Sequence, residues 1–81
     1  MMSEEIKNQV RRLIADHLEE DLESVTDEKD LVDDLGADSI DLYEMVMLTE
    51  DQLEIIIDDE KLEDIDTVGQ FIGVVVEADV E

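Results

Sequence analysis

With 81 residues, no proline and only two aromatic side chains, Tyr43 and Phe71, the chain has room for one small domain with an aliphatic core. The absence of cysteine excludes a disulfide framework and a thiolate metal site, and the scarcity of glycine and proline suits helices better than a turn-rich β fold. A formal net charge of −22 excludes the usual electrostatic route to nucleic acid, which needs a basic surface.

The charge is uneven: residues 1–20 hold five acids against Lys7, Arg11 and Arg12, whereas residues 21–81 hold twenty-two against Lys29 and Lys61. The later part is expected to meet basic, electrostatically steered partners. The N-terminal Met1-Met2-Ser3-Glu4-Glu5 has neither the basic flank nor the apolar core of a signal peptide, and no apolar run approaches membrane-spanning length. A soluble, cytoplasmic, monomeric protein with no membrane partner is expected.

The first predicted helix covers residues 4–18. Ile6, Val10, Leu13, Ile14 and Leu18 form one apolar stripe, Ser3 is a candidate cap, and Arg11, Arg12 and His17 lie off the stripe. A long connection over residues 19–38 lacks helical periodicity, and Leu22, Val25, Leu31, Val32 and Leu35 are its expected anchors on the core, ahead of a turn at Gly36.

The second helix is predicted to start after Asp38, a good N-cap, and to run to about Leu53 or Glu54, with Asp41 favourable in its first turn. Ile55-Ile56-Ile57 reads as a buried linker. A short helix at residues 59–64 is expected to turn Leu62 and the following Ile65 inward. Thr67 is the predicted cap of a last helix with the stripe Val68, Phe71, Ile72 and Val75, in which Gly69 and Gly73 could permit close packing. The expected fold is all-α: a small four-helix bundle, three main helices plus one short one, forming a single domain over residues 1–81.

The second helix carries two apolar faces at 100° per residue. Leu42, Met45, Val46, Thr49 and Leu53 make the core face, while Ile40, Tyr43 and Met47 lie opposite, interleaved with Glu44, Glu50, Asp51 and Glu54. An acid-framed outer stripe suits a partner with a basic rim and a greasy centre, although scattered apolar side chains are also ordinary on surfaces. Ser39 sits in the first turn, where it serves either as a simple first-turn residue or as an anchor for a phosphate held by the helix N-terminus.

The run Leu35-Gly36-Ala37-Asp38-Ser39-Ile40-Asp41, with Leu31-Val32-Asp33-Asp34 before it and Glu44-Met45-Val46-Met47 after it, closely resembles the attachment motif of acyl carrier proteins. The resemblance extends over nearly the whole chain. It implies a covalent 4′-phosphopantetheine on Ser39, taken from coenzyme A by a phosphopantetheinyl transferase that Asp38 assists. It also implies a carrier rather than a catalyst, holding acyl groups as thioesters for enzymes of fatty-acid or related lipid biosynthesis. Partner enzymes with basic patches would meet Ile40, Asp41, Tyr43, Glu44, Met47, Glu50 and Asp51, and Met45, Val46, Leu62, Ile65 and Ile72 would either line an acyl cavity or simply pack the core.

The chain departs from that pattern in four places. Leu31 stands where phenylalanine is usual, Ile57-Asp58-Asp59-Glu60 lacks the common proline, Tyr43 is bulky, and Thr49 puts a hydroxyl where leucine is common. A specialised carrier of another acyl, aminoacyl or polyketide group therefore stands beside the fatty-acid carrier. Two other classes compare poorly. A hydrolase would need a base beside Ser39, and nothing pairs it with His17, the only histidine. An EF-hand loop fails in register around both Gly36 and Gly69, so no specific metal site is expected; weak cation binding among Glu50, Asp51 and Glu54 is compatible with the sequence. An unmodified acidic interaction module would explain the charge and the outer stripe while leaving the motif around Ser39 a coincidence.

Overall fold

The computed structural model describes residues 2–79, with side chains described from residue 4 onward. The helices are α1 (Met2–Leu18), α2 (Ser39–Leu53), α3 (Asp59–Leu62) and α4 (Val68–Asp79), with a 3-10 turn at Leu22–Ser24. Among the described residues there is no β-sheet, only an isolated antiparallel bridge between Asp30 and Thr67. The all-α expectation holds. Helix α1 begins two residues before its expected start, and the capping role expected of Ser3 concerns a side chain outside those described.

The stripe of α1 is the reason it packs. Ile6, Val10, Leu13 and Ile14 are buried against α2 and α4, each such side chain contributing roughly 1.5–3 kcal/mol when fully removed from water. The predicted stripe of α4, Val68, Phe71, Ile72 and Val75, is buried as well. The start of α4 is fastened reciprocally: Thr67 Oγ1 accepts from the Gln70 N–H at 3.2 Å, and Gln70 Oε1 accepts from the Thr67 N–H at 2.9 Å.

The long connection is a folded strap. Val25, Leu31 and Leu35 anchor it in the core as expected, and Ala37 joins them. Leu22 and Val32, also expected as anchors, are exposed. Leu22 opens the 3-10 turn, none of whose residues is buried, and Val32 follows buried Leu31 in a turn that points it outward. Asp30 organises one of these turns, its Oδ1 accepting from the N–H groups of Val32 at 3.0 Å and Asp33 at 2.8 Å. The strap is sewn to the start of α4 by Leu31 N–H to the Asp66 carbonyl, Val68 N–H to that of Lys29, and Gly69 N–H to that of Asp27.

Three further expectations need correction. Ile57 of the isoleucine run is buried and Ile55 half-buried, but Ile56 is 84% exposed, because the linker is pinned at Ile57 N–H by Glu50 and leaves the middle side chain facing water. Helix α3 is one turn, Asp59–Leu62, rather than six residues. Gly69 does permit a close approach, since a Cβ there would lie 3.2 Å from the Asp27 carbonyl oxygen, whereas Gly73 is exposed with open space around it.

Candidate functional site: the start of the second helix

The turn before α2 presents Ser39. Gly36 adopts φ +76°, a backbone state most side chains avoid, and its N–H donates to the Val32 carbonyl while that of Ala37 donates to Leu31. The chain is thereby folded back so that Ala37 enters the core and Asp38 emerges as the N-cap. Asp38 Oδ1 accepts from the Asp41 N–H at 2.8 Å, and Asp41 Oδ2 accepts from the Asp38 N–H at 3.1 Å. Asp38 thus has a structural duty at the very position where the motif expects it to assist attachment. The remaining first-turn N–H groups of a helix have no partner within it, so an anion beside Ser39 would find donors and a favourable dipole.

Ser39 is exposed and lies at the mouth of a cleft of about 380 Å³ between α2, α3 and α4. Exposed Tyr43, Asp59 and Glu63 share the mouth, half-buried Leu42 and Leu62 form the walls, and buried Val46, Ile65 and Phe71 form the floor. Val46, Leu62 and Ile65 therefore line the cleft as the acyl-cavity reading required. Met45 and Ile72 do not; both are buried in the core on other sides of their helices, and Phe71 takes the position at the floor. The Phe71 side chain belongs to the same apolar stripe as Ile72, so only the rotation of α4 could tell them apart.

The two faces of α2 separate as the periodicity requires. Met45, Val46 and Thr49 are buried, with the Thr49 hydroxyl donating to the Met45 carbonyl at 2.7 Å, which satisfies the polar group in the core. On the outer face Ile40, Tyr43 and Met47 are 67%, 59% and 59% exposed, and Leu48, absent from the predicted stripe, joins them. Glu44 and Asp51 are exposed beside this stripe. Asp41 and Glu50 are only half-exposed, since Asp41 serves the cap and Glu50 Oε2 accepts from the Ile57 N–H at 2.8 Å, holding the linker to α2.

One neighbour escaped the sequence reading. His17, near the end of α1, brings Nε2 to 3.1 Å from Glu44 Oε1 and 3.4 Å from Asp41 Oδ1. It does not join Ser39 in a catalytic pair. The only sequence signal was its position off the stripe of α1, which left its angle to α2 unspecified.

Residues 8–75 match the family of the phosphopantetheine attachment site, the class of proteins that bear this prosthetic arm. An acyl carrier protein of Caulobacter vibrioides is 41% identical over 73 residues, covering 90% of this chain and 94% of the relative. One from Thermotoga maritima is 44% identical over 70 residues, covering 86% of each. The solved acyl carrier protein of Enterococcus faecalis superposes with a TM-score of 0.79 at 37% identity, covering 96% of this chain and 99% of that one. The chain belongs to the acyl carrier protein family. Its cofactor is 4′-phosphopantetheine, and the standard role of the family is to carry acyl groups in fatty-acid synthesis, alongside acyl-processing enzymes.

Proposed function

We propose that Ser39 is the residue that bears the arm and that the cleft beside it shelters the acyl chain. The observation that carries this reading is the position of Ser39: exposed, in the first turn of α2, at the mouth of an apolar-floored cleft and within the matched region. When bound, the arm supplies a terminal thiol that holds the acyl group as a thioester. The protein's own part is to hold and deliver. The first turn of α2 offers N–H groups to the phosphate, and Val46, Ile65 and Phe71 offer the chain a water-poor floor. A volume near the lower end of the usual 300–1,000 Å³ range of ligand sites suits one slender aliphatic chain.

Asp38 assists attachment, and partner enzymes with basic patches, the transferase among them, dock on Ile40, Asp41, Tyr43, Glu44, Met47, Glu50 and Asp51. Their exposed apolar members supply the greasy centre, and Glu44 and Asp51 supply the most open charge. The chain works as a single-domain, cytoplasmic monomer and catalyses no transfer itself. Among the described residues no helix is long and apolar enough to cross a membrane.

Incubation with coenzyme A, magnesium and a permissive phosphopantetheinyl transferase is expected to add the mass of one arm, and Ser39→Ala to abolish the gain. An unmodified wild-type chain, or modification surviving in Ser39→Ala, would overturn the assignment. For the docking face, charge reversal at Glu44 or Asp51 is expected to weaken partner binding more than reversal at Glu4; equal effects refute it.

A further inference from the structure

The side chains of His17, Asp41 and Glu44 meet where the end of α1 crosses the start of α2, and the docking reading uses only the two acids. We propose that these three residues form a binding site for one late first-row divalent cation, of which zinc is the representative.

The distances carry the argument. Metal–nitrogen and metal–oxygen bonds of about 2.0–2.2 Å put two ligands of one tetrahedral or octahedral ion about 2.9–3.5 Å apart. His17 Nε2 lies 3.1 Å from Glu44 Oε1 and 3.4 Å from Asp41 Oδ1, both within that window. The three donor atoms all lie within 4.8 Å of one another. Closing the remaining gap between the carboxylates falls to Glu44, whose side chain is half exposed and free to shift.

A simple ion pair explains less. One imidazolium beside two carboxylates leaves a net negative charge, in a protein already at −22. A divalent cation with a neutral imidazole balances the group. Two of the three donors are also held in advance: Asp41 is tied through its other oxygen, Oδ2, to the Asp38 N–H, so that Oδ1 is left toward His17. The imidazole is 20% exposed, packed between two helices, and so loses little freedom on binding. A hollow of about 440 Å³, lined by His17, Glu44, Met47, Leu48 and Asp51, gives an ion and its remaining waters a way in.

The nitrogen donor sets the class of metal. Imidazole suits zinc, copper, nickel and cobalt, whereas calcium and magnesium prefer all-oxygen sets. Occupancy would join α1 to α2 and withdraw Asp41 and Glu44 from a partner's basic rim. That second consequence rests on the docking reading; the binding test does not.

The test is a calorimetric titration of the full chain, freed of metal by a chelator, with zinc chloride in the presence of millimolar magnesium. One equivalent is expected to bind, with chemical shifts of the His17 ring moving in step. His17→Gln and Glu44→Gln are each expected to weaken binding tenfold or more, and Asp33→Asn to leave it unchanged. Circular dichroism identifies any variant that has not folded, in which case the other carries the test. Zinc binding equally well to the folded His17→Gln and Glu44→Gln chains, or displaced by magnesium at comparable concentration, would show diffuse counter-ions only and overturn the site.

Discussion

Asp38 and Asp41 hold each other's backbone at the start of α2, the carboxylate of each accepting the N–H of the other at 2.8 and 3.1 Å. The two acids flanking Ser39 and Ile40 therefore set the geometry of the segment to be modified, whatever else they do. Replacing an N-cap acid by alanine costs about 1 kcal/mol, and serine restores most of it. Asp38→Ala is expected to lower Tm by about 4–8 °C, and Asp38→Ser to stay near wild type. If Asp38 also assists attachment, Asp38→Ser will fold normally yet be modified slowly, which mass spectrometry over time will resolve; normal modification of Asp38→Ser would confine the residue to capping.

The two glycines of α4 should respond differently to alanine. Gly73 faces open space, so Gly73→Ala is expected to raise stability by about 0.5–1 kcal/mol through helix propensity alone. At Gly69 the new methyl would sit 3.2 Å from the Asp27 carbonyl oxygen, which also accepts the Gly69 N–H. Gly69→Ala is expected to lose that gain and to loosen the strap. Urea unfolding of both variants decides it, and an equal gain at both sites would mean the strap yields freely.

Glu19 and Glu54 terminate α1 and α2 with φ of 55°, the left-handed state that glycine usually fills. Such a state costs an ordinary residue roughly 1–2 kcal/mol, partly offset because glycine adds freedom to the unfolded chain. Glu19→Gly and Glu54→Gly are each expected to stabilise by about 0.5–1 kcal/mol. Glu19→Ala and Glu54→Ala separate conformation from charge, because they remove the charge and keep the strain; thermal melts in which alanine matches glycine would assign the gain to charge.

Self-repulsion should make the fold salt-dependent. The net charge of −22 is spread over a body with a radius of gyration of 11.3 Å. The screening length is about 30 Å at 0.01 M salt and about 3 Å at 1 M, so dilute buffer lets nearly all the charges interact. Tm is expected to rise by several degrees, on the order of 1 kcal/mol, between those limits. A melting temperature indifferent to salt would refute self-repulsion as a cost to this fold, since five basic side chains cannot neutralise twenty-seven acids.

Much of this protein was legible in the order of its residues. The stripes of α1 and α4, the Asp38 cap, the turn at Gly36 and the two faces of α2 are local or periodic, and periodicity is visible without knowing what lies opposite. The motif around Ser39 is likewise contiguous. What the sequence left open depended on how elements rotate against each other. Whether Phe71 or Ile72 floors the cleft, which isoleucine of 55–57 faces water, and that Glu50 turns back to the linker are all settled by packing. The clearest case is His17. It lies 24 residues before Asp41 in the chain, and no spacing rule relates them; the crossing of α1 over α2 alone brings the imidazole to both carboxylates, because side-chain meetings between helices follow from interhelical geometry rather than from position along either helix.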